Sequence, residues 1–249
     1  MTRIRMIVPV PLPPKALEGF AAQIPPHLIR PGMTVDFVGI RNGTTVLDSL
    51  YEATLADAFC LEAGLSAEAE GYDAVCINSM SDSGLAALRS RLSIPVVGPG
   101  RASFFLAADL GKRFAVITMW PRWHWIYEKL ATETGLGDRL TAIRDIGVRP
   151  DTQELLDGKE EIVFAALERE CRRAIDEDGA DVLILGSTTM HQSHAYLRSR
   201  LEVPLINPGL VAFKLCETLI DLELAQSKKC YPAPETPADD VLSHVPTIF

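Results

Sequence analysis

Short apolar runs alternate with longer amphipathic stretches along the whole chain of 249 residues. The runs at 73–78 and 181–185 are apolar at nearly every position, as in strands buried on both faces of a parallel sheet. The stretch 160–178 has apolar residues at helical spacing, and Gly179 stands where a helix commonly ends. This alternation predicts an α/β fold with parallel sheets and crossover helices.

The same patterns place the remaining elements. Strands are predicted at residues 3–8, 34–40, 73–78, 95–97, 112–118, 140–145, 181–185 and 205–207. Helices are predicted at residues 16–24, 49–70, 84–92, 102–110, 126–134, 160–178, 192–200 and 209–224. The Pro-rich tail at 231–249 is predicted to be loose.

Two stretches of the chain share the same order of predicted elements. Residues 73–100 and 181–209 each read as a buried strand, a turn rich in hydroxyl groups, a helix and a second short strand. Ser79 and Ser187 stand in these turns, 187 − 79 = 108 positions apart, and both stretches contain the run LRSRL. We interpret this self-similarity as a duplication.

The duplication predicts two pseudo-symmetric halves, each a small parallel sheet flanked by helices. The first half is expected to comprise residues 1–103, with helix 209–224 packed on it, and the second residues 104–208. Ligands of such folds bind beyond the carboxyl ends of the strands. If the halves face each other, Ser79 and Ser187 lie on opposite sides of one cleft.

Other side chains and backbone groups at these strand ends are predicted to contact a substrate. Besides the two serines, the residues expected to do so are Pro9, Asn42, Gly43, Ser81, Thr118, Thr188 and Thr189.

Charge and cysteine usage narrow the class of protein. The net charge of −9 argues against a nucleic-acid or anionic-membrane partner. No apolar run is long enough to cross a bilayer, and the N-terminus lacks the pattern of a signal peptide. The five cysteines are odd in number and no pair has zinc-type spacing. We therefore expect a cytoplasmic protein with free thiols.

Five stretches carry a resemblance to a known family. They are residues 71–85 (GYDAVCINSMSDSGL), 94–98 (IPVVG), 111–118 (GKRFAVIT), 180–187 (ADVLILGS) and 203–208 (VPLINP). Together they resemble the Asp/Glu racemase superfamily and, within it, the hydantoin and allantoin racemase branch, over nearly the whole chain. The resemblance implies two similar α/β halves with the site between them, no cofactor, and an oligomer of identical chains.

The resemblance also implies two cysteines, one per half, that act as opposed acid and base at a substrate α-carbon. In this chain the two positions hold Ser79 and Ser187, while Cys76 lies inside a strand and is expected to be part of the core. A thiol, with a pKa near ~8.5, can be tuned into a thiolate at neutral pH. A hydroxyl needs an adjacent base before it does comparable work.

Several roles therefore stay open for the two serines. They can bind a carboxylate or stabilise an enolate-like oxyanion, together with backbone N–H groups at the helix starts. One of them can act as a nucleophile if a His or Asp approaches it. The alternative without catalysis is that both serines only cap the helices that follow them.

His191 is a candidate general base near Ser187. The alternative is a solvated helix residue, a position expected particularly for His194. Together they form a His-x-x-His pair that can place two rings on one helix face, but a metal site needs a third ligand and none is evident. Asp82 can assist Ser79 or simply place negative charge at a helix N-terminus.

The aromatic and arginine residues near strand ends have similarly open interpretations. Trp120, Trp123 and Trp125 can line a substrate pocket or pack in the core or at a subunit interface. Any of three arginines can bind a substrate carboxylate or remain solvated: Arg41, Arg101 and Arg122.

We expect, from the resemblance, a cofactor-independent, hydantoin-racemase-like isomerase. Its substrate is expected to be a small and anionic molecule, such as a carboxylate, an amide or a cyclic ureide. Two alternatives remain, a hydrolase or decarboxylase-type lyase that uses Ser79 or Ser187, and a non-catalytic binder of the same ligands.

Overall fold

The structure is a computed structural model that describes residues 1–150 and 161–247. The chain folds into two compact units. The first comprises Met1–Gly98 together with Ala212–Phe249, and the second comprises Pro99–Val211. Each unit contains one four-stranded sheet flanked by helices.

The sheet of the first unit is entirely parallel. Its strands have the spatial order β2-β1-β3-β4. The strands are β1 (Thr2–Val8), β2 (Met33–Gly39), β3 (Ala74–Ile77) and β4 (Val96–Val97). The inner strand β3 is fully buried, as its unbroken apolar sequence predicts.

The second unit repeats this topology in the order β6-β5-β7-β8, again with every pairing parallel. The strands are β5 (Phe114–Thr118), β6 (Leu140–Asp145), β7 (Val182–Leu185) and β8 (Leu205–Ile206). The predicted α/β fold with two similar parallel sheets is therefore confirmed.

The helices form around the sheets where the apolar spacing predicts them, with shifts of a few residues at their ends. They are α1 (Pro14–Ala21), α2 (Leu50–Leu65), α3 (Leu85–Arg91), α4 (Pro99–Leu110), α5 (His124–Thr134), α6 (Glu161–Asp176), α7 (His191–Arg198) and α8 (Pro208–Asp221). Position 160 of the predicted sixth helix lies outside the described residues.

Helix α2 shows how the sequence fixes both ends of an element. Ser49 caps its first turn by accepting a hydrogen bond from the amide of Glu52. It ends at Leu65, several residues before the predicted end at 70, and a series of turns follows. At Gly64 a Cβ atom would lie 2.4 Å from Leu88 Cδ2, so a larger residue there would force the Leu88 side chain to move.

Each unit has its own hydrophobic core on its sheet. In the first, Val75 and Ile77 of β3 pack with Phe59 of α2 and Leu88 of α3. The core of the second unit contains Leu183 and Leu185 of β7, with Leu167 and Cys171 of α6 and Leu197 of α7. These cores hold the carboxyl ends of β3 and β7 in place, and the two serines follow directly after them.

Contacts with the first unit hold the C-terminal tail within residues 231–247, which corrects the expectation of a loose segment there; residues 248–249 lie outside the described residues. Arg41 donates to the carbonyl groups of Leu242 and Val245. Asp239 accepts a bidentate pair of hydrogen bonds from Arg91, at 2.9 Å and 2.5 Å. These contacts join residues more than a hundred positions apart, so proline content alone could not reveal them.

Candidate active site

Ser79 and Ser187 occupy equivalent places at the carboxyl ends of β3 and β7. The residue before each serine donates its backbone amide to the neighbouring inner strand of its own sheet, β1 or β5. Asn78 donates to the carbonyl of Ile7 at 2.7 Å, and Gly186 donates to the carbonyl of Ile117 at 2.7 Å. Each serine is then half-buried in the turn that follows. The duplication seen in the sequence therefore extends to hydrogen bonds of the backbone.

The hydroxyl of Ser79 accepts hydrogen bonds from one neighbour. Ser81 donates its amide to Ser79 Oγ at 3.3 Å and its hydroxyl to the same atom at 3.0 Å. Ser81 Oγ in turn lies 2.8 Å from Ser83 Oγ. Since the proton of Ser81 is used on Ser79, the proton between Ser81 and Ser83 comes from Ser83.

Ser187 repeats this arrangement with a threonine. Thr189 donates its amide to Ser187 Oγ at 3.2 Å, and Thr189 Oγ1 lies 2.8 Å from the same oxygen. Ser187 thereby caps a single 3-10 turn, Thr188–Met190, that leads into α7. The capping interpretation holds for Ser187, and either hydroxyl can be the donor in its contact with Thr189.

Each of these turns is fixed to its own unit through the residue before the serine. In the first unit, the side-chain amide of Asn78 donates to Gln23 Oε1 at 3.0 Å, and both side chains are buried. In the second, Tyr127 donates its hydroxyl to the carbonyl of Gly186 at 2.7 Å. Neither Gln23 nor Tyr127 stands at a strand end, so the pattern of strand ends does not predict their part in the site.

The loop after β2 contains two of the predicted substrate contacts. Asn42 donates its side-chain amide to the carbonyl of Pro246 at 2.7 Å and accepts from the amide of Gly43 at 2.9 Å. Thr44 donates its hydroxyl to the carbonyl of Pro9 at 2.6 Å, which ties this loop to the end of β1. Pro9 is itself buried. The structure thus brings Pro9, Asn42 and Gly43 together in one unit.

The other predicted contacts differ in exposure. Ser81, Thr118 and Thr188 are buried, whereas Thr189 is half-buried. The hydroxyl of Thr118 lies 2.9 Å from the hydroxyl of Tyr127. Since Tyr127 gives its only proton to Gly186, Thr118 is the donor in that pair. Through Tyr127, Thr118 therefore supports the turn that carries Ser187. Its contact with the substrate stays a prediction.

His191 is the first residue of α7, directly after the turn of Ser187. Partial burial lowers the pKa of its imidazole below the ordinary value of 6.5, against a smaller upward effect of the backbone of Thr189. Burial also lowers the pKa of His194, whose Nε2 lies 3.1 Å from the carbonyl of Leu205. His194 is thus held against β8, which differs from the expected solvated position.

Asp82 adopts a left-handed backbone conformation, with φ of 51°, and is buried. Its carboxylate lies against Gly98, where a Cβ atom would come within 2.4 Å of Asp82 Cγ. Positive φ in a residue other than glycine is uncommon, and aspartate is one of the residues that tolerate it. The contact of Asp82 with Gly98, the residue that follows β4, therefore restrains the turn after Ser79.

The arginines proposed as carboxylate ligands have contacts within the chain. Arg41 is paired with Glu62 as well as the tail, which argues against a role in substrate binding. The guanidinium of Arg101 lies 4.9 Å from the ring of Phe105, and that of Arg122 lies 5.5 Å from the ring of Trp120.

Two residues of the tryptophan cluster contact each other within the second unit. Trp120 and Trp123 meet edge to face, with ring centroids 6.4 Å apart. Trp123 also packs against the core of that unit, and the indole nitrogen of Trp125 is buried. The packing interpretation holds for Trp123.

The cysteines do not supply a reactive thiol at the strand ends. Cys76 is fully buried in β3, and burial raises the pKa of its thiol well above the ordinary range. The prediction that it belongs to the core is confirmed. Within the ranges 1–150 and 161–247, no group of three or more His, Cys, Asp or Glu side chains is placed to hold a metal ion. None of the described helices is long and apolar enough to cross a membrane.

Comparison with known proteins identifies the family of the chain. Residues 15–216 match the family described as Asp/Glu/Hydantoin racemase. The chain belongs to the Asp/Glu/hydantoin racemase family. The family's members are enzymes, and the resemblance stated from the five sequence stretches is confirmed.

Individual relatives agree with this assignment. A hydantoin racemase of Pseudomonas sp. (strain NS671) is 32% identical over 201 residues, which cover 80% of this chain and 79% of that protein. An allantoin racemase structure from Klebsiella pneumoniae superposes with a TM-score of 0.86 at 28% identity, covering 96% of each chain. For the allantoin racemase of Pseudomonas fluorescens the TM-score is 0.82 at 25% identity, covering 95% of this chain and 98% of that one.

Proposed function

We propose that the protein is a racemase of small cyclic ureides, which removes the proton from one face of a carbon next to a carbonyl group and adds a proton from solvent on the opposite face. The relatives named hydantoin racemase and allantoin racemase support this substrate class. The observation that carries the proposal is the repeated hydroxyl pair, Ser79 with Ser81 and Ser187 with Thr189, at equivalent strand ends.

The hydroxyl pairs suit the charge that develops in such a reaction. When a carbon next to a carbonyl loses its proton, negative charge moves onto the carbonyl oxygen. Ser79 Oγ has both lone pairs occupied by Ser81, so its own proton is available to donate to that oxygen. A donor already in place at the developing oxyanion typically contributes about 10²- to 10³-fold in kcat.

The proton itself needs a base, and a serine hydroxyl alone is a weak one. We propose His191 for this role in the second unit. Because burial lowers the pKa of its imidazole below 6.5, the ring is neutral at neutral pH and can accept a proton. Ser187, at the turn that leads into His191, is proposed to bind the substrate beside it.

We further propose a protein that works without a cofactor, in the cytoplasm, as a homo-oligomer and on substrates with anionic character. The five cysteines are all free thiols, which suits a reducing compartment. Exposed apolar side chains at the start of α2, Leu50 and Tyr51, offer a surface for self-association. Activity should survive dialysis against EDTA, and light scattering should give a mass above 27.2 kDa.

The test is a polarimetric assay with enantiopure hydantoins and allantoin at neutral pH. Racemisation is expected to abolish optical rotation while the substrate mass stays unchanged. Hydrolysis or decarboxylation would instead give a product of different mass, and binding without turnover would leave the rotation constant. Either of these results, obtained with folded protein across the substrate panel, would overturn the proposal.

A further inference from the structure

Tyr127 connects three elements of the second unit through its hydroxyl group. The residue lies on α5 and is fully buried. Its hydroxyl donates to the carbonyl of Gly186 at 2.7 Å and accepts from Thr118 Oγ1 at 2.9 Å. Thr118 ends β5, and Gly186 stands between β7 and Ser187. One phenol therefore joins the ends of two neighbouring strands to a helix.

The carbonyl that Tyr127 binds belongs to the peptide group shared by Gly186 and Ser187. This peptide group is planar and trans, so its carbonyl oxygen and its N–H point in opposite directions. When Tyr127 fixes the carbonyl, it also fixes the amide of Ser187 on the side opposite Tyr127. The orientation of the turn that carries Ser187 thus depends on a hydroxyl outside that turn.

The packing around Gly186 leaves little room for another arrangement. A Cβ atom at this position would lie 2.6 Å from the hydroxyl oxygen of Tyr127 and 2.7 Å from Thr118 Cβ. Only glycine therefore lets the backbone approach the phenol closely enough for the hydrogen bond. Burial also raises the pKa of Tyr127 above its usual range, so the phenol stays protonated and remains a donor.

We propose that Tyr127 is a positioning residue for the reaction, which acts by holding the Gly186–Ser187 peptide in its productive orientation. This inference rests on the proposed function of Ser187. In the first unit the residue before the serine is held through its side chain instead, since the amide of Asn78 donates to Gln23 Oε1. The two hydroxyl turns are thus alike, but the groups that support them are specific to each unit.

The test is Tyr127→Phe, which removes the hydroxyl and keeps the ring. Small displacements of reacting groups can cost on the order of 100-fold in rate, so we expect kcat to fall about 10- to 100-fold. KM should stay within about twofold, because binding of the ground state is little affected. Thr118→Val, which keeps the bond between Tyr127 and Gly186, should lower kcat by less.

Tyr72→Phe is the matched control. Tyr72 is also buried and donates its hydroxyl to Asp36 Oδ2 at 2.8 Å, but this partner stands on β2 of the first unit and in neither serine turn. The variant should lose thermal stability without a change in kcat. Equal losses of kcat in Tyr127→Phe and Tyr72→Phe would overturn the positioning role and indicate a general effect on folding.

Hydrogen exchange gives a readout that does not depend on racemase activity. Amide exchange in a peptide covering residues 183–190 should be faster in Tyr127→Phe than in the wild type or in Tyr72→Phe. If the wild type racemises nothing but this difference is present, the proposed function fails and the structural role of Tyr127 stands. If exchange at 183–190 is unchanged, the positioning role itself fails.

Discussion

Ser81 donates two hydrogen bonds to the side-chain oxygen of Ser79, one from its amide at 3.3 Å and one from its hydroxyl at 3.0 Å. A hydroxyl oxygen has two lone pairs and one proton. With both lone pairs occupied, Ser79 can still donate its proton but cannot readily accept another. This relationship favours a donor role for Ser79 over that of a base.

Ser79→Ala should therefore lower turnover with little effect on folding. Loss of one oxyanion donor predicts a decrease in kcat of about 10²- to 10³-fold. Steady-state kinetics and a thermal melt check both parts of this prediction. Ser199→Ala serves as the control, because Ser199 is exposed and its hydroxyl donates to the carbonyl of Tyr196 on the surface of α7. A variant at Ser79 that retains full kcat would remove this residue from the site.

Thiol reagents should not inhibit the natural enzyme. Four of its cysteines are buried, and burial raises the pKa of Cys171 to about 12. Only Cys230 is exposed, so a Cys230→Ala background isolates the effect. In that background, iodoacetamide should leave activity intact, whereas Ser79→Cys with Ser187→Cys should become sensitive to it. Inactivation of the parent by iodoacetamide would show that a native thiol takes part.

The proposed base predicts a particular pH dependence. Because the pKa of His191 in the folded protein is below 6.5, the acid limb of kcat/KM should have its midpoint below 6.5. The unfolded imidazole has the higher pKa and binds more protons. His191 therefore contributes a loss of stability as pH falls from 6.5 towards the folded pKa.

His191→Gln should remove the acid limb and lower kcat by about 10²- to 10⁴-fold. His27→Gln is the control, since His27 is exposed in the first unit. An unchanged acid limb in His191→Gln would assign the base to another residue.

The contacts of Arg41 predict that the tail and the loop after β2 depend on each other. Arg41→Ala removes the donors to Leu242 and Val245, so hydrogen exchange should rise both in residues 239–247 and in the neighbouring loop at Asn42. Arg198→Ala, at an exposed position of α7, should leave both segments unchanged. Faster exchange in the tail alone would show that the tail does not support the loop.

The sequence was sufficient to predict the elements and the strand-end serines. Unbroken apolar runs such as 73–78 indicate buried strands. Ligands of parallel sheets bind beyond the carboxyl ends of the strands, so the residues that follow such runs are candidates for the site. These signals are local in the sequence, and because of the duplication each of them occurs twice. The site itself, with Ser79, Ser187 and His191 in catalytic roles, stays a prediction.

The support of the site could not be read from the sequence in the same way. Tyr127 and Gly186 are 59 positions apart, and Arg41 and Val245 are 204 positions apart. Tyr127 looks like any aromatic residue on the buried face of a helix, and Arg41 like a solvated arginine. Only the folded backbone brings such partners together, because the pairs share no pattern of spacing.

Deuterium incorporation at the stereogenic carbon is the decisive measurement for the proposed racemisation. An enantiopure hydantoin or allantoin is incubated with the enzyme in deuterium oxide at neutral pH and followed by mass spectrometry and chiral chromatography. Racemisation at the two serine turns predicts that the opposite enantiomer forms carrying one deuterium at the stereogenic carbon, and that this reaction is strongly reduced in Ser79→Ala and Ser187→Ala. Consumption of the substrate without deuterium at that carbon would contradict the proposed racemisation.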